Sequence, residues 1–204
     1  MTIYLAGLLS MSRAKKEGKI ASLTPYILES FLEYRNKDVS LISDMRENPN
    51  TKLFLDSGAF TAFTQGQTVN IDELIAFYHR NKDHIHMAAN LDVIGNPEAT
   101  YKNWLYMTEK GVPALPVYHY GSDKSFLERY LRVHKVKYLA LGGLVPYAKK
   151  RNALKYWLDY CFTLLKDYPP VKIHLFGITT PWVLMRYPAY SADSTGWFAY
   201  PNHN

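Results

Sequence analysis

The sequence predicts an α/β protein, a minimal (β/α)8 TIM-like barrel with an incomplete last helix. Three observations predict it. Eight short apolar, β-rich runs recur, at residues 3–7 (IYLAG), 39–42 (VSLI), 52–56 (KLFLD), 87–92 (MAANLD), 114–119 (ALPVYH), 138–142 (YLALG), 172–177 (KIHLFG) and 189–193 (AYSAD). Each is a continuous apolar run rather than an alternation, the pattern of strands buried on both faces of a parallel sheet. Helical patterns lie between most of them, as parallel crossovers require.

The helices follow in order. Residues 23–34 open with Thr24-Pro25, a cap followed by proline at the first helical position. The link 43–51, with Asn48-Pro49-Asn50, is too short and polar for a helix. Residues 71–81 follow Asn70 and carry Ile71, Leu74, Ile75 and Tyr78 at helical spacing. Residues 97–109 repeat the cap-then-proline signal at Asn96-Pro97, and 123–133 follow Ser122. The longest helix, 152–166, lines Leu154, Trp157, Leu158, Cys161 and Leu165 on one face, and 181–186 starts after Thr180. An eighth helix would have to lie beyond Gly196, where only WFAYPNHN remains. The other architecture that fits is an open doubly wound sheet of six or seven strands. No linker, repeat or boundary interrupts the chain, so residues 1–204 read as a single domain.

Composition narrows the class. Apolar residues at 48% and charged residues at 21% exclude a disordered chain, and 11 Gly with 11 Pro excludes a collagen-like one. A single cysteine, Cys161, excludes a disulfide framework or a multi-cysteine metal site within the chain. It fits a reducing compartment. The short N-terminal apolar run precedes its charges, the reverse of a secretory signal, and no stretch approaches the roughly 18 apolar residues of a membrane helix. A cytoplasmic protein without a membrane partner is expected. The net charge of +6 favours polyanions, nucleic acid first.

In such a barrel the active site is built where the strands end. Those ends read Asp56-Ser57-Gly58, Asn90-Leu91-Asp92, His119-Tyr120-Gly121, Gly142-Gly143-Leu144, Gly177 with Thr179-Thr180, and Asp193-Ser194. Asp is disfavoured in strands yet ends three of them, which points to a shared carboxylate site. Several carboxylates over one cavity can hold magnesium, divide nucleophile and acid/base roles, or bind the donor edge of a guanine. A glycine pair lets a flat ligand lie against the backbone. Two basic stretches follow strand ends: Arg13, Lys15, Lys16 and Lys19, and then Lys149, Lys150 and Arg151. On the catalytic rim they would meet phosphates. Tyr118, Tyr120, Tyr147 and Trp197 lie near strand ends, where they can stack on bases. His84, His86 and His174 form no metal pattern: the first two read as surface or packing residues, His174 as a satisfied interior residue, and Cys161 as a core thiol.

These residues carry a resemblance. DSGAF (56–60), LD (91–92), ALGGL (140–144), HLFGI (174–178) and YSADST (190–195) resemble, in order and spacing, the tRNA-guanine transglycosylase superfamily. The match spans roughly residues 53–197 and is closest to the short DNA-modifying branch found in phages and bacterial genomic islands. The resemblance implies a (β/α)8 barrel that exchanges guanine for a 7-deazaguanine base such as preQ0. It implies no cofactor and no metal. Asp193 would be the nucleophile that holds the sugar as a glycosyl-enzyme, and Asp56 the carboxylate that handles the proton of the base. Asp92 would read the base, Gly142 and Gly143 would meet its carbonyl, and Ser57, His119 and Gly177 would complete the base pocket. His119 stands where the tRNA enzymes carry glutamine. The tRNA members hold a zinc ion with three cysteines and a histidine. A chain with one cysteine lacks that site, which favours DNA over tRNA and leaves room for a partner subunit or a homodimer. A phage-encoded protein would act in the host cytoplasm.

Two other functions fit the residues. One is a catalytically silent subunit that only binds nucleic acid. The other is an unrelated barrel hydrolase whose aspartates bind magnesium or a sugar.

Overall fold

The structure is a computed structural model and describes residues 1–8, 25–36 and 50–196. The strand expected at 39–42, the basic residues Arg13, Lys15, Lys16 and Lys19, and the chain from Trp197 onward lie outside the described residues. The chain divides into two compact units, one of Tyr4–Leu115 and one of Pro116–Asn204 with Met1–Ile3. Each is α/β, with parallel strands linked through helices.

In the first unit the strands run β1 (Thr2–Ala6, entering from Tyr4), β2 (Tyr26–Ser30), β3 (Lys52–Asp56), β4 (Ile85–Ala89) and β5 (Ala114–Leu115), hydrogen-bonded in that order. Leu53, Phe54 and Leu55 in the middle of β3 are all buried, the two-sided burial that a continuous apolar run anticipates. Helices α1 (Phe31–Tyr34), α2 (Ala59–Thr64), α3 (Ile71–Asn81) and α4 (Pro97–Glu109) intervene. The start of α3 is fixed by Asn70, whose side-chain oxygen accepts from the N–H groups of Asp72 and Glu73 at 2.9 and 3.3 Å. Asn96 caps α4 through the Ala99 N–H at 3.0 Å, with Pro97 in the first turn.

In the second unit the order is β6 (Val117–His119), β7 (Tyr138–Gly142), β8 (Lys172–Leu175), β9 (Ser191–Ser194). Helix α5 (Lys124–Glu128) runs into a π-helical turn at Arg129–Val133. Helix α6 (Arg151–Leu165) buries Leu154, Trp157, Leu158 and Cys161, the face that its spacing predicts. The short α7 (Pro181–Arg186) follows β8, and the Thr2 N–H donates to the Tyr190 carbonyl at 2.9 Å. Strands follow chain order in both units. Among the described residues neither shows the reversal of order that defines a doubly wound sheet.

Two expectations are corrected. The predicted helix 23–34 is a strand over Tyr26–Ser30 and is helical only from Phe31 to Tyr34. Ile27 and Leu28 have parallel neighbours on both sides, and burial in the ladder outweighs the local cap signal. Pro25 precedes the strand instead, and its carbonyl accepts the Lys52 N–H. Second, nine strands are seen among the described residues, against eight predicted. The run 114–119 breaks at Pro116, which has no N–H to donate. Ala114–Leu115 pairs with β4, and Val117–His119 pairs with β7. The boundary between the two units falls at this same break, inside a run that carries no linker signal.

Gly58 offers a direct test of the first unit. Its φ is +78°, and a Cβ there would lie 2.7 Å from both Leu32 Cβ and Ser30 Oγ. Gly58→Ala is expected to destabilise by about 2–4 kcal/mol, combining left-handed strain with overpacking. Loss of the Asn70 cap in Asn70→Ala should cost about 1 kcal/mol. Urea midpoints at unchanged m-value measure both.

Candidate active site

Parallel strands bring the C-terminal ends of each unit to one edge. In the first unit β3 ends at half-buried Asp56, whose Oδ2 accepts the Gly58 N–H at 2.8 Å. This closes an Asx-turn and turns the chain into α2. Ser57 is buried, its hydroxyl 3.5 Å from the Ala59 N–H. Beyond β4, Asn90 is fully buried and donates from Nδ2 to the Thr100 carbonyl at 2.9 Å and to Asp92 Oδ1 at 3.4 Å. Asp56 thus ends β3 with Ser57 next to it, as predicted, whereas the run 87–92 is a strand only to Ala89 and Asp92 lies three residues beyond it. Glu29, fully buried near the end of β2, is a carboxylate missing from the sequence-based set because its segment reads as helix.

The second unit builds a tighter constellation. Side chains alternate along a strand, so Ser191 and Asp193 share one face of β9. His174 on β8 is in register with Ser191 and with Ala140 on β7, two residues beyond Tyr138. The hydrogen bonds follow from this register. His174 Nε2 lies 3.1 Å from Asp193 Oδ1, and His174 Nδ1 lies 2.6 Å from Ser191 Oγ. Ser191 Oγ in turn lies 2.5 Å from the Tyr138 hydroxyl. His174 and Ser191 are fully buried, and Asp193 is 6% exposed. The Gly177 N–H donates to the same Asp193 Oδ1 at 2.9 Å. Both bonds thus converge on Oδ1, and Oδ2 has no hydrogen bond among the described residues. Burial pushes the Tyr138 phenol up to about 12, against the opposing hydrogen bond to Ser191.

Glycines shape the same edge. Gly177 has φ +71°, and a Cβ on it would lie 2.3 Å from Val145 Cγ2. Gly142 sits under His119: a Cβ there would meet Val117 Cγ1 at 2.6 Å and His119 Nε2 at 3.1 Å. Gly143 has φ +68°, close to the backbone of Tyr120. His119, Gly142, Gly143, Gly177 and Asp193 thus all lie at or just beyond the strand ends of this unit.

Asp193, His174 and Ser191 contain the residue types of a hydrolytic serine triad. Ser191 is fully buried behind His174, however, and a serine nucleophile has to reach its substrate. Asp193 is the member nearest solvent in this set of three.

The rim residues Lys149, Lys150 and Arg151 are exposed at the start of α6. Lys150 Nζ lies 5.5 Å from the Tyr147 ring centroid, and the Arg151 guanidinium lies 5.0 Å from that of Trp182. Of the aromatics read as stacking platforms, Tyr118 is buried and donates to the Ser122 carbonyl. Tyr120 and Tyr147 stack on each other at 3.7 Å. His84 and His86 are exposed, as read from sequence. Burial pushes the Cys161 thiol up, the state of an inert core cysteine. Among the described residues no group of three or more His, Cys, Asp or Glu is placed to hold a metal ion. No helix among them is long and apolar enough to cross a membrane.

The chain matches no family model and no curated protein. Its residues alone therefore carry the functional argument.

Gly177→Ala is expected to lower the melting temperature, because the new methyl meets Val145 and the residue keeps a positive φ. Adding Val145→Ala should recover the steric part and leave the backbone strain. Thermal unfolding of both variants separates the two. Cys161 is expected to resist a thiol reagent in the native protein and to react fully in denaturant.

Proposed function

We propose that this chain is a base-exchange transglycosylase that replaces guanine in DNA with a 7-deazaguanine base through a glycosyl-aspartate at Asp193. The observation that carries the reading is the anchoring of Asp193. The Gly177 N–H and the His174 ring nitrogen Nε2 both meet Oδ1, which leaves Oδ2 available to attack. A carboxylate fixed in this way is a competent nucleophile at an anomeric carbon.

Asp193 Oδ2 bonds to the sugar C1′ as the C1′–N9 bond breaks, and the electron pair leaves with the purine. The departing base takes a proton from a general acid, to which the incoming 7-deazaguanine later returns one; the resemblance gives that role to Asp56. The ring nitrogen of the incoming base attacks C1′, the ester bond to Asp193 breaks, and the carboxylate is regenerated. Asp92, with Ser57, Gly142, Gly143, His119 and Gly177, would supply the contacts that distinguish one base from another. A target base inside a duplex has to be flipped out or presented single-stranded. Lys149, Lys150 and Arg151, with Arg13, Lys15 and Lys16, would contact phosphates.

Incubation with guanine-labelled DNA, or with labelled tRNA, and unlabelled preQ0 tests this reading. Label release from DNA that requires preQ0 is expected, with a fall of at least about a thousandfold in Asp193→Asn. Release without added base would mean a glycosylase, and release only from tRNA would move the substrate to RNA. Replacing Lys149, Lys150 and Arg151 with Ala should weaken DNA binding across sequences. It should also flatten the salt dependence of log K by about 2–3, if each contacts one phosphate.

A further inference from the structure

We infer that Tyr138, Ser191 and His174 form a one-directional hydrogen-bond relay that locks His174 in its Nε2–H tautomer and so holds Asp193 as a reactive anion. The relay builds on the reading of Asp193 as nucleophile. None of its three members contacts substrate in this scheme; they are positioning residues.

The direction follows from counting protons. Asp193 Oδ1 already accepts the Gly177 N–H. An imidazole is ordinarily more basic than a carboxylate, so the proton between Oδ1 and His174 Nε2 sits on nitrogen. In the neutral ring Nδ1 is then an acceptor. The atom facing it is Ser191 Oγ at 2.6 Å, which must donate its hydroxyl proton to Nδ1. Ser191 is left to accept, and the neighbour at 2.5 Å is the Tyr138 hydroxyl, which donates. Burial raises Tyr138, which keeps that proton in place at neutral pH. Each link has one orientation, running from Tyr138 through Ser191 and His174 to Asp193.

The chemical consequence lies at Asp193. The opposite tautomer would turn the Nε2 lone pair toward the carboxylate, replacing attraction with repulsion and removing one of the two anchors on Oδ1. Ser191 prevents this by occupying Nδ1. Full burial of His174 and Ser191 keeps water from substituting for either partner. The relay therefore supplies the second anchor on Oδ1, beside the Gly177 N–H, and leaves Oδ2 to react.

Long-range 1H–15N spectra of protein labelled at histidine nitrogen read the tautomer directly, with His174→Gln assigning the signal. The Nε2–H form is expected in the wild-type protein. Ser191→Ala should give mixed tautomers and a kcat for base exchange about 10–100-fold lower at unchanged KM, the usual scale for a residue that orients a catalytic group. Tyr138→Phe should keep the tautomer and lower kcat only a few-fold. An Nδ1–H tautomer, a doubly protonated ring, or a Ser191→Ala protein with unchanged tautomer and kcat would overturn the relay. A wild-type protein that exchanges no base yet shows the Nε2–H form, lost in Ser191→Ala, would overturn the reaction and support the relay.

Discussion

Much of the second unit is organised around one atom, Asp193 Oδ1. A carboxylate that is 6% exposed has given up most of its hydration and needs donors in exchange. Hydrogen bonds to charged groups contribute roughly 1.5–3 kcal/mol each, and Oδ1 receives two of them. Each donor imposes a condition on the fold. The Gly177 N–H is delivered from a backbone at φ +71°, packed so closely on Val145 that a side chain has no room. The His174 N–H is delivered only if β8 and β9 keep the register that sets His174 beside Ser191. A slip of one residue would turn Ser191 and Asp193 to the opposite face. The anchoring of one oxygen thus explains a glycine, a strand register and a buried polar row together.

Asp56 shows the same residue type under a different constraint. Its Oδ2 closes the turn that carries the chain from β3 into α2, and the glycine that receives it is pinned by Leu32 and Ser30. A carboxylate with a structural task of this kind is held at a fixed place along the strand-end edge. At Asp193, by contrast, both bonds meet one oxygen.

What the sequence made legible follows from which signals are local. Helices α3 and α4 start where predicted because Asn70, Asn96 and Pro97 act within one turn of the chain. The aspartates at strand ends were readable because an Asp after an apolar run is a local contrast. Strand β2 reads as helix because Thr24-Pro25 suits either a helix or a strand start, and only its two parallel neighbours decide. The split at Pro116 was hidden for the same reason. A proline inside an apolar run does not say which neighbour each half will pair with. At the site, Asp193, Gly142, Gly143 and Gly177 were visible, but the support behind Asp193 was not. His174 reads as an interior residue, which it is; its link to Asp193 spans 19 positions and exists only through register. The one local hint was Ser191, two residues before Asp193 and hence on the same strand face.

Burial then separates support from chemistry. Along Ser191, His174 and Asp193, accessibility goes from none, to none, to a small opening at the carboxylate. A group that reacts with a polymer has to be reachable, whereas a group that fixes a tautomer works best where water cannot compete. Were Ser191 the nucleophile, the order of exposure would run the other way. The same ordering weakens a purely structural account of the row. Packing alone would be served by apolar residues at Ser191 and His174, without the cost of burying polar atoms that then need partners. The buried polar row, in register across β7, β8 and β9, instead ends at a carboxylate held through Oδ1 by Gly177 and His174.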